Sequence, residues 1–272
     1  MRWLVTGAGG QLGSHLVALL GPSAVGVTHA SLDIRSESAV RSCVADVRPD
    51  VVVNAAGWTG VDAAESSESS AFAVNATAVG HLASVAGPRL IHVSTDYVFA
   101  GSATRPYCVD DEPAPRTAYG RTKLAGERLA LAAGATVVRT AWVYGGPGPN
   151  FVDTMLRLAA AQDFVDVVSD QVGSPTWVRD LAAGLIALGP RGGLFHFVNG
   201  GQASWCDLAQ ATFSLSGHDP SRVRAVPTSA VPRPALRPAW SVLSTSSWTS
   251  AGLPAPRAWQ NALAECLQSR DA

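Results

Sequence analysis

Short apolar, β-branched runs alternate with alanine-rich stretches of helical period through the first half of the chain. The runs are Trp3 to Thr6, Ala24 to Thr28, Val51 to Asn54, Leu90 to Ser94 and Thr136 to Thr140. Helical spacing begins at Gln11 and returns over Glu37 to Val47, around Ala71 to Ala86, and over Tyr119 to Ala133. Strands this uniformly apolar suit a sheet covered on both faces, and strand-helix-strand in repetition predicts parallel pairing with right-handed crossovers. The expected fold class is α/β, a Rossmann-like doubly wound parallel sheet whose ligands gather beyond the carboxyl ends of its strands.

The character changes after Tyr144. Gly145-Gly146-Pro147-Gly148-Pro149 reads as a loop, and later segments are short and broken by Pro220, Pro227, Pro232, Pro234 and Pro238. Val178 to Leu188 and Leu194 to Val198 nevertheless look like a helix and strand able to complete the main sheet. The expectation is a dinucleotide-binding domain of residues 1–144 plus about 177–200, and a smaller, discontinuous α/β substrate domain of about 145–176 plus 201–272. Thr228 to Ser250 has the composition of a linker, but Trp240, Val242, Leu243 and Trp248 predict a packed binding loop. Leu129 to Ala133 and Leu181 to Leu188 suit buried helices.

With 272 residues, 47% hydrophobic, 15% charged and a formal net charge of -1, the chain reads as an ordinary globular protein. Its Lys and Arg are balanced and scattered, without the basic stripe of a nucleic-acid binder. No apolar run approaches the roughly 18 residues that span a bilayer. The first strand runs straight into a glycine loop and leaves no room for a signal peptide, so a cytoplasmic location is expected. Cys43, Cys108, Cys206 and Cys266 are far apart, lack ligand spacing and read as reduced thiols. No metal is expected.

Thr6-Gly7-Ala8-Gly9-Gly10-Gln11-Leu12-Gly13 follows a strand and opens a helix, the context in which a glycine pattern binds a pyrophosphate. Gly7 and Gly10 allow a tight turn and close backbone approach, and Gly13 permits helix to pack on strand. The spacing is G-x-x-G-x-x-G, a departure from the commonest fingerprint. The second strand ends at Thr28-His29, without the carboxylate expected of a strictly NAD-specific site. NADPH is therefore the expected cofactor, with Arg35 or His29 available to its phosphate, and NADH is the second candidate. Asp33, beside Ile34, is placed for the adenine end or caps the helix before Glu37. Asn54-Ala55-Ala56-Gly57, at the end of the third strand, are small enough for a nicotinamide ribose to lie close.

Tyr119 and Lys123 are four residues apart and share one helix face. Exchanging a proton at neutral pH asks a phenol to fall by roughly 3 units, about 4 kcal/mol. One lysine at about 5 Å supplies roughly 3 kcal/mol at an effective dielectric near 20. A surface pair is the ordinary reading of such spacing. What changes it is Val93-Ser94-Thr95-Asp96-Tyr97-Val98-Phe99, an apolar strand ending in hydroxyls where a substrate carbonyl would sit. Tyr119 is then the acid, Lys123 its tuning cation and Thr95 the group that orients the carbonyl.

These residues together resemble the extended short-chain dehydrogenase/reductase superfamily and, within it, the dTDP-4-dehydrorhamnose reductase family. The resemblance runs nearly the whole chain, through the opening glycine motif, Arg48 to Ala56, Asn75-Ala76, Ser94 to Phe99, Tyr119 to Glu127, Arg139 to Tyr144, Asp170 to Thr176, and Arg237-Pro238. It implies reduction of the C4 ketone of a dTDP-4-keto-6-deoxy sugar, dTDP-4-dehydrorhamnose to dTDP-L-rhamnose foremost. By the same resemblance Gln11 and Leu12 join the cofactor residues. Thr59, Val61, Asp96, Tyr97 and Trp142 line the sugar and nucleotide pocket, and Arg237 and Ser241 face dTDP, whose diphosphate suits a guanidinium. Trp58, Ala63 and Trp240 depart from the family pattern and bear on which sugar is taken. Three other outcomes stay open: a 4-ketoreductase of another dTDP-deoxysugar, an epimerase or dehydratase using Asp96, and a non-catalytic NADP-binding regulatory subunit. The expected partner is the sugar nucleotide, with neither nucleic acid nor membrane, and a homodimer left open.

Overall fold

The computed structural model describes residues 1–270. Its centre is a six-stranded sheet built from β1 (Trp3–Thr6), β2 (Ala24–Val27), β3 (Val51–Asn54), β4 (Leu90–Thr95), β5 (Thr136–Thr140) and β10 (Gly193–His196). The spatial order is β10-β5-β4-β3-β1-β2, and every pairing is parallel. The order reverses between β1 and β3, which opens a crevice above their carboxyl ends.

Alternation along each strand supplies both faces of this Rossmann-like sheet. Trp3, Val5, Val53, Ile91 and Val138 point to one side, while Leu4, Val52, Leu90 and Val137 point to the other. Helices α1 (Gln11–Leu20) and α8 (Val178–Leu188) cover the first side through Leu16, Leu181 and Leu185. Helices α2 (Glu37–Val47), α5 (Ala78–Ala86) and α6 (Ala118–Ala132) cover the second through Val40, Val44, Leu82 and Ala130. Every position of β1, β3 and β5 is buried, which is why the central strands read as continuous apolar runs.

The helix expected around Ala71 to Ala86 is subdivided. After α3 (Val61–Ser66), the chain forms α4 (Glu68–Phe72), a π-turn over Ala73–Thr77, and then α5. Leu129, expected in a buried run, is 44% exposed, because the outer face of α6 passes through it.

Beyond β6 (Val143–Tyr144), α7 (Phe151–Ala161), β7 (Val165–Val168), α9 (Trp205–Leu215) and β12 (Val223–Val226) enclose their own cluster of Met155, Val165, Val167, Phe213 and Val223. Short ladders join β6 to β9 (Thr176–Trp177), β8 (Val172–Gly173) to β11 (Ala203–Ser204), and β7 to β12. Between these, α8 and β10 return to the main sheet. The proline-rich stretch is packed: Val242, Leu243 and Trp248 are buried, and α10 (Ser246–Ser250) and α11 (Trp259–Gln268) follow. No helix of the described residues is long and apolar enough to cross a membrane.

Candidate active site

The crevice at the strand reversal is a cavity of about 480 Å³. Its floor is the turn from β1 into α1, where Gly7 adopts φ +70°. A Cβ on Gly7 would stand 2.7 Å from the Ala56 nitrogen, and one on Gly13 would stand 2.1 Å from the Gly7 carbonyl oxygen. Only glycine lets the turn, α1 and the end of β3 come together here. Helix α1 begins at Gly10 with no side-chain cap, so its amides and the positive end of its dipole face the crevice. Gly7, Gly10, Asp33, Ile34, Ala55, Ala56 and Gly57 all border this one cavity, as expected of a dinucleotide site.

Gln11 and Leu12 do not border it. The Leu12 side chain packs into the core, and the Gln11 amide reaches the Pro149 carbonyl at 3.4 Å, which leaves their main chain as the part available to a phosphate. Thr28, His29 and Arg35 stand at the rim. Arg35 grips Asp33 through both carboxylate oxygens, at 2.9 and 2.8 Å, and that bond draws the Asp33 carboxyl down to about 2. Asp33 is not the cap of α2; Ser36 accepts the Ala39 amide instead.

At the end of β4, the Thr95 hydroxyl donates to Asp96 Oδ1 at 2.9 Å and accepts the Tyr97 amide at 3.2 Å. Tyr119 lies in the first turn of α6, whose start is set by Thr117 accepting the Gly120 amide at 3.0 Å. The Tyr119 ring meets Tyr97 edge-on, centroids 5.6 Å apart, and packs with Trp58 on Ala64 and Ala118. Burial pushes the Tyr119 phenol up to about 12, while Thr95, close beside it, works against that rise.

The expected direct tuning by Lys123 is not what the geometry presents. The Lys123 ammonium donates to the Val93 carbonyl at 2.7 Å and lies 3.9 Å from where a Cβ on Gly57 would project. Burial pushes it down to about 8, with Glu127 pulling the other way. The lysine thus joins the acid's helix to the cofactor loop, and the phenol moves up because low dielectric disfavours phenolate more than any neighbour favours it.

Two buried groups that the spacing did not reveal hold this arrangement. Asn75, in the π-turn, accepts the Trp58 amide at 2.8 Å and donates at 3.1 Å to both the Trp58 carbonyl and Thr122 Oγ1. It ties the loop after β3 to the helix of Tyr119 and Lys123. A Cβ on Gly126 would fall 2.0 Å from the Asn75 carbonyl oxygen, so α6 rests directly on the π-turn, a local rewinding common at functional sites. Glu127 accepts a two-pronged bond from Arg139 of β5, at 2.9 and 2.7 Å, with both side chains at most 2% exposed. Asn75 was within the quoted motifs, but its π-turn leaves no mark in composition.

Asp96 is buried near Ser241, but its Oδ2 and the Ser241 hydroxyl are both left without a hydrogen-bond partner among the described residues. Burial pushes Asp96 up to about 6, against the pull of Ser241 and Thr95. Tyr97, Arg116 and Arg237 border a second cavity of about 200 Å³. Arg237 is tied to Asp62 at 2.8 Å. Trp142 packs beside Val98 and Trp240, and the Trp240 indole donates to the Arg105 carbonyl at 2.8 Å. Thr59 is exposed and Val61 half-buried; neither borders this cavity. Among the described residues, no group of three metal-ligating side chains gathers.

Comparison with known proteins adds a lineage to this geometry. Residues 1–271 match the family model described as RmlD substrate binding domain. The chain is 50% identical to a dTDP-4-dehydrorhamnose reductase of Streptomyces griseus, over 97% of this chain and 92% of that protein. It is 48% identical to a probable dTDP-4,6-dihydroxy-2-methyloxan-3-one 4-ketoreductase of Streptomyces antibioticus, over 98% and 95%. The solved dTDP-4-dehydrorhamnose reductase of Bacillus anthracis, in complex with NADP, superposes with a TM-score of 0.95 at 33% identity, covering 98% and 99% of the two chains.

Proposed function

The chain belongs to the RmlD substrate binding domain family, and on that premise we propose that it reduces the C4 ketone of a dTDP-4-keto-6-deoxy sugar with NADPH. The substrate we favour is dTDP-4-dehydrorhamnose, yielding dTDP-L-rhamnose. The observation that carries this reading is the position of the Lys123 ammonium, between the carbonyl of Val93 and Gly57. It links the acid's helix to the wall of the dinucleotide cavity.

When bound, NADPH supplies the hydride that reaches C4. The chain does the rest. A phenol held up at about 12 keeps its proton in the resting site, so Tyr119 is stocked as the acid and gives that proton to the carbonyl oxygen as charge develops there. Thr95, its own proton committed to Asp96, fixes the geometry around the carbonyl. Lys123, held by the Val93 carbonyl beside Gly57, keeps a positive charge where the acid's helix meets the dinucleotide cavity, and that charge lowers the cost of forming an anion in a buried site. Arg237, Tyr97, Asp96, Trp142 and Ser241 are assigned to the sugar nucleotide, with Thr59 and Val61 at its outer edge.

Residues 1–144 plus about 177–200 serve as the dinucleotide domain in this reading, and about 145–176 plus 201–272 as the substrate domain. In this reading the protein acts in the cytoplasm, with the sugar nucleotide as its partner and neither nucleic acid nor membrane. A second reading, a 4-ketoreductase of another dTDP-deoxysugar, draws support from the printed name of the Streptomyces antibioticus relative and from Trp58 and Trp240. The test mixes protein, freshly generated dTDP-4-keto-6-deoxy sugar and NADPH or NADH, and follows nicotinamide absorbance. Stoichiometric oxidation supports the reductase and ranks the cofactors; cofactor binding without oxidation overturns it.

A further inference from the structure

Among the described residues, Arg48 and Trp142 alone take positive φ without being glycine. Arg48 ends α2 as its left-handed C-cap, an ordinary place for such a backbone. Trp142, at φ +47° between β5 and β6, has no helix end to excuse it, and a bulky residue there is strained unless its surroundings hold it. It follows β5, whose last residue Thr140 is in register with Thr95.

The surroundings do hold it. The indole lies where a side chain on Gly173 would be: a Cβ there would fall 2.4 Å from Trp142 Cε2. The Trp205 indole stacks on it at 3.5 Å between centroids and 5° between planes, closer and flatter than the offset pairs at about 4.5–7 Å that aromatic rings prefer when left alone. Phe151 leans on Trp205 in turn, at 4.6 Å. Trp205 is itself fixed, since it opens α9 directly after Ser204, whose hydroxyl and Asp207 form a reciprocal capping box. Ser204 pairs with Val172, and Val172 bonds on through the Ala239 carbonyl and the Ser241 amide to the segment that carries Trp240 and Ser241.

We propose that Trp205 is a positioning residue for the sugar subsite: by stacking on Trp142 it holds that indole at one fixed inclination, so that a flat aromatic face is presented to the sugar ring. This rests on the reading, given above, that Trp142 meets the sugar. Trp205 touches no substrate and acts only through its neighbour.

The test compares Trp142→Leu, Trp205→Leu, their double variant, Trp205→Phe and Gly173→Ala in the full chain. It reads KM for the dTDP-4-keto sugar, Kd for NADPH, kcat and the far-ultraviolet exciton signal of stacked indoles. Trp205→Leu is expected to raise the sugar-nucleotide KM on the order of tenfold, as a small misplacement of a substrate-contacting group does. NADPH affinity is expected to hold, and the exciton couplet to disappear. Trp205→Phe, which keeps a flat face, recovers most of the affinity without the couplet. The double variant is no worse than Trp142→Leu alone, the non-additivity of two residues acting as one. Gly173→Ala, which displaces the indole while Trp205 stays intact, raises the same KM and serves if Trp205→Leu does not fold. An unchanged KM in Trp205→Leu and Gly173→Ala beside a raised KM in Trp142→Leu overturns this inference alone. An unchanged KM in Trp142→Leu overturns the sugar-facing reading and the inference with it.

Discussion

Asp62 and Arg237 stand 175 residues apart in the chain and meet at 2.8 Å. The other carboxylate oxygen of Asp62 accepts the Ala235 amide at 3.1 Å, so one side chain of the crossover after β3 staples the loop that carries the arginine. The pair is mostly shielded, at 31% and 18% exposure. Asp62→Ala is expected to forfeit about 1 kcal/mol of loop order, seen as a roughly fivefold rise in the KM for sugar nucleotide. The KM for NADPH, whose cavity Asp62 does not border, serves as the control.

Tyr119→Phe keeps the ring that Tyr97 and Trp58 pack against and removes only the transferable proton. Turnover is expected to fall by roughly 10² to 10⁴-fold, with NADPH binding by fluorescence titration unaltered. Near-normal turnover would remove Tyr119 as the acid.

Lys123 sets the alkaline limit. With its ammonium pushed down to about 8 by burial, the cation that offsets phenolate charge is present below that pH and lost above it. The profile of kcat/KM, which reports the free enzyme, should therefore decline as pH rises through about 8. Tyr119, near 12, titrates too high to produce that limb. A profile flat to pH 10 would show that the lysine charge does not govern the step.

Asp96 sets a stability limit of opposite origin. Its carboxyl, pushed by burial from 3.8 to about 6, is raised above the unfolded value, so folding takes up a proton between these two pH values. That contribution is complete below pH 3.8 and is lost as pH rises through about 6. Asp96→Asn, neutral at every pH, should unfold at a higher temperature than the unaltered protein near pH 8. The difference corresponds to roughly 2–3 kcal/mol for a shift of about two units, and it should vanish near pH 4. Calorimetry of the cofactor-free protein at both values decides it.

The Arg139–Glu127 pair fastens α6 to β5. Removing one partner leaves a buried charge alone, so Glu127→Ala is expected to cost about 3–5 kcal/mol by denaturant unfolding. Arg139→Met with Glu127→Leu should recover most of it, because two apolar side chains leave nothing unpaired.

The strands were legible because the sheet is covered twice. Val51, Val52 and Val53 are all buried, and no alternation arises for a helix to imitate. The glycine loop was legible because a strand precedes it and a helix follows. What stayed hidden depends on depth and on distant partners. Spacing places Tyr119 and Lys123 on one face of α6, but it does not say that this face looks onto the end of β4, where the Val93 carbonyl claims the ammonium. Nor does a helical pattern from Ala71 to Ala86 disclose that the turn over Asn75 winds wide. Gln11 and Leu12 came with the motif, yet one extends to Pro149 and the other into the core. The strain at Trp142 comes from Gly173 and Trp205, neither near it in the chain.

The outermost strand of the sheet has a bearing on how the protein is made. Thr95, Tyr119 and Lys123 all leave the ribosome before Gly193, the first residue of β10. Until β10 arrives, one free edge of the growing sheet is β5, whose Val137 and Val138 are wholly buried in the finished molecule. An unpaired apolar edge is a template for association with other chains. Fragments or stalled chains ending between α7 and β10 should therefore aggregate even though every residue of the proton-transfer site is already in place. As the last strand of the central sheet to emerge, β10 acts as a stopper as much as a scaffold, and its late delivery makes yield from slow translation a property of the fold.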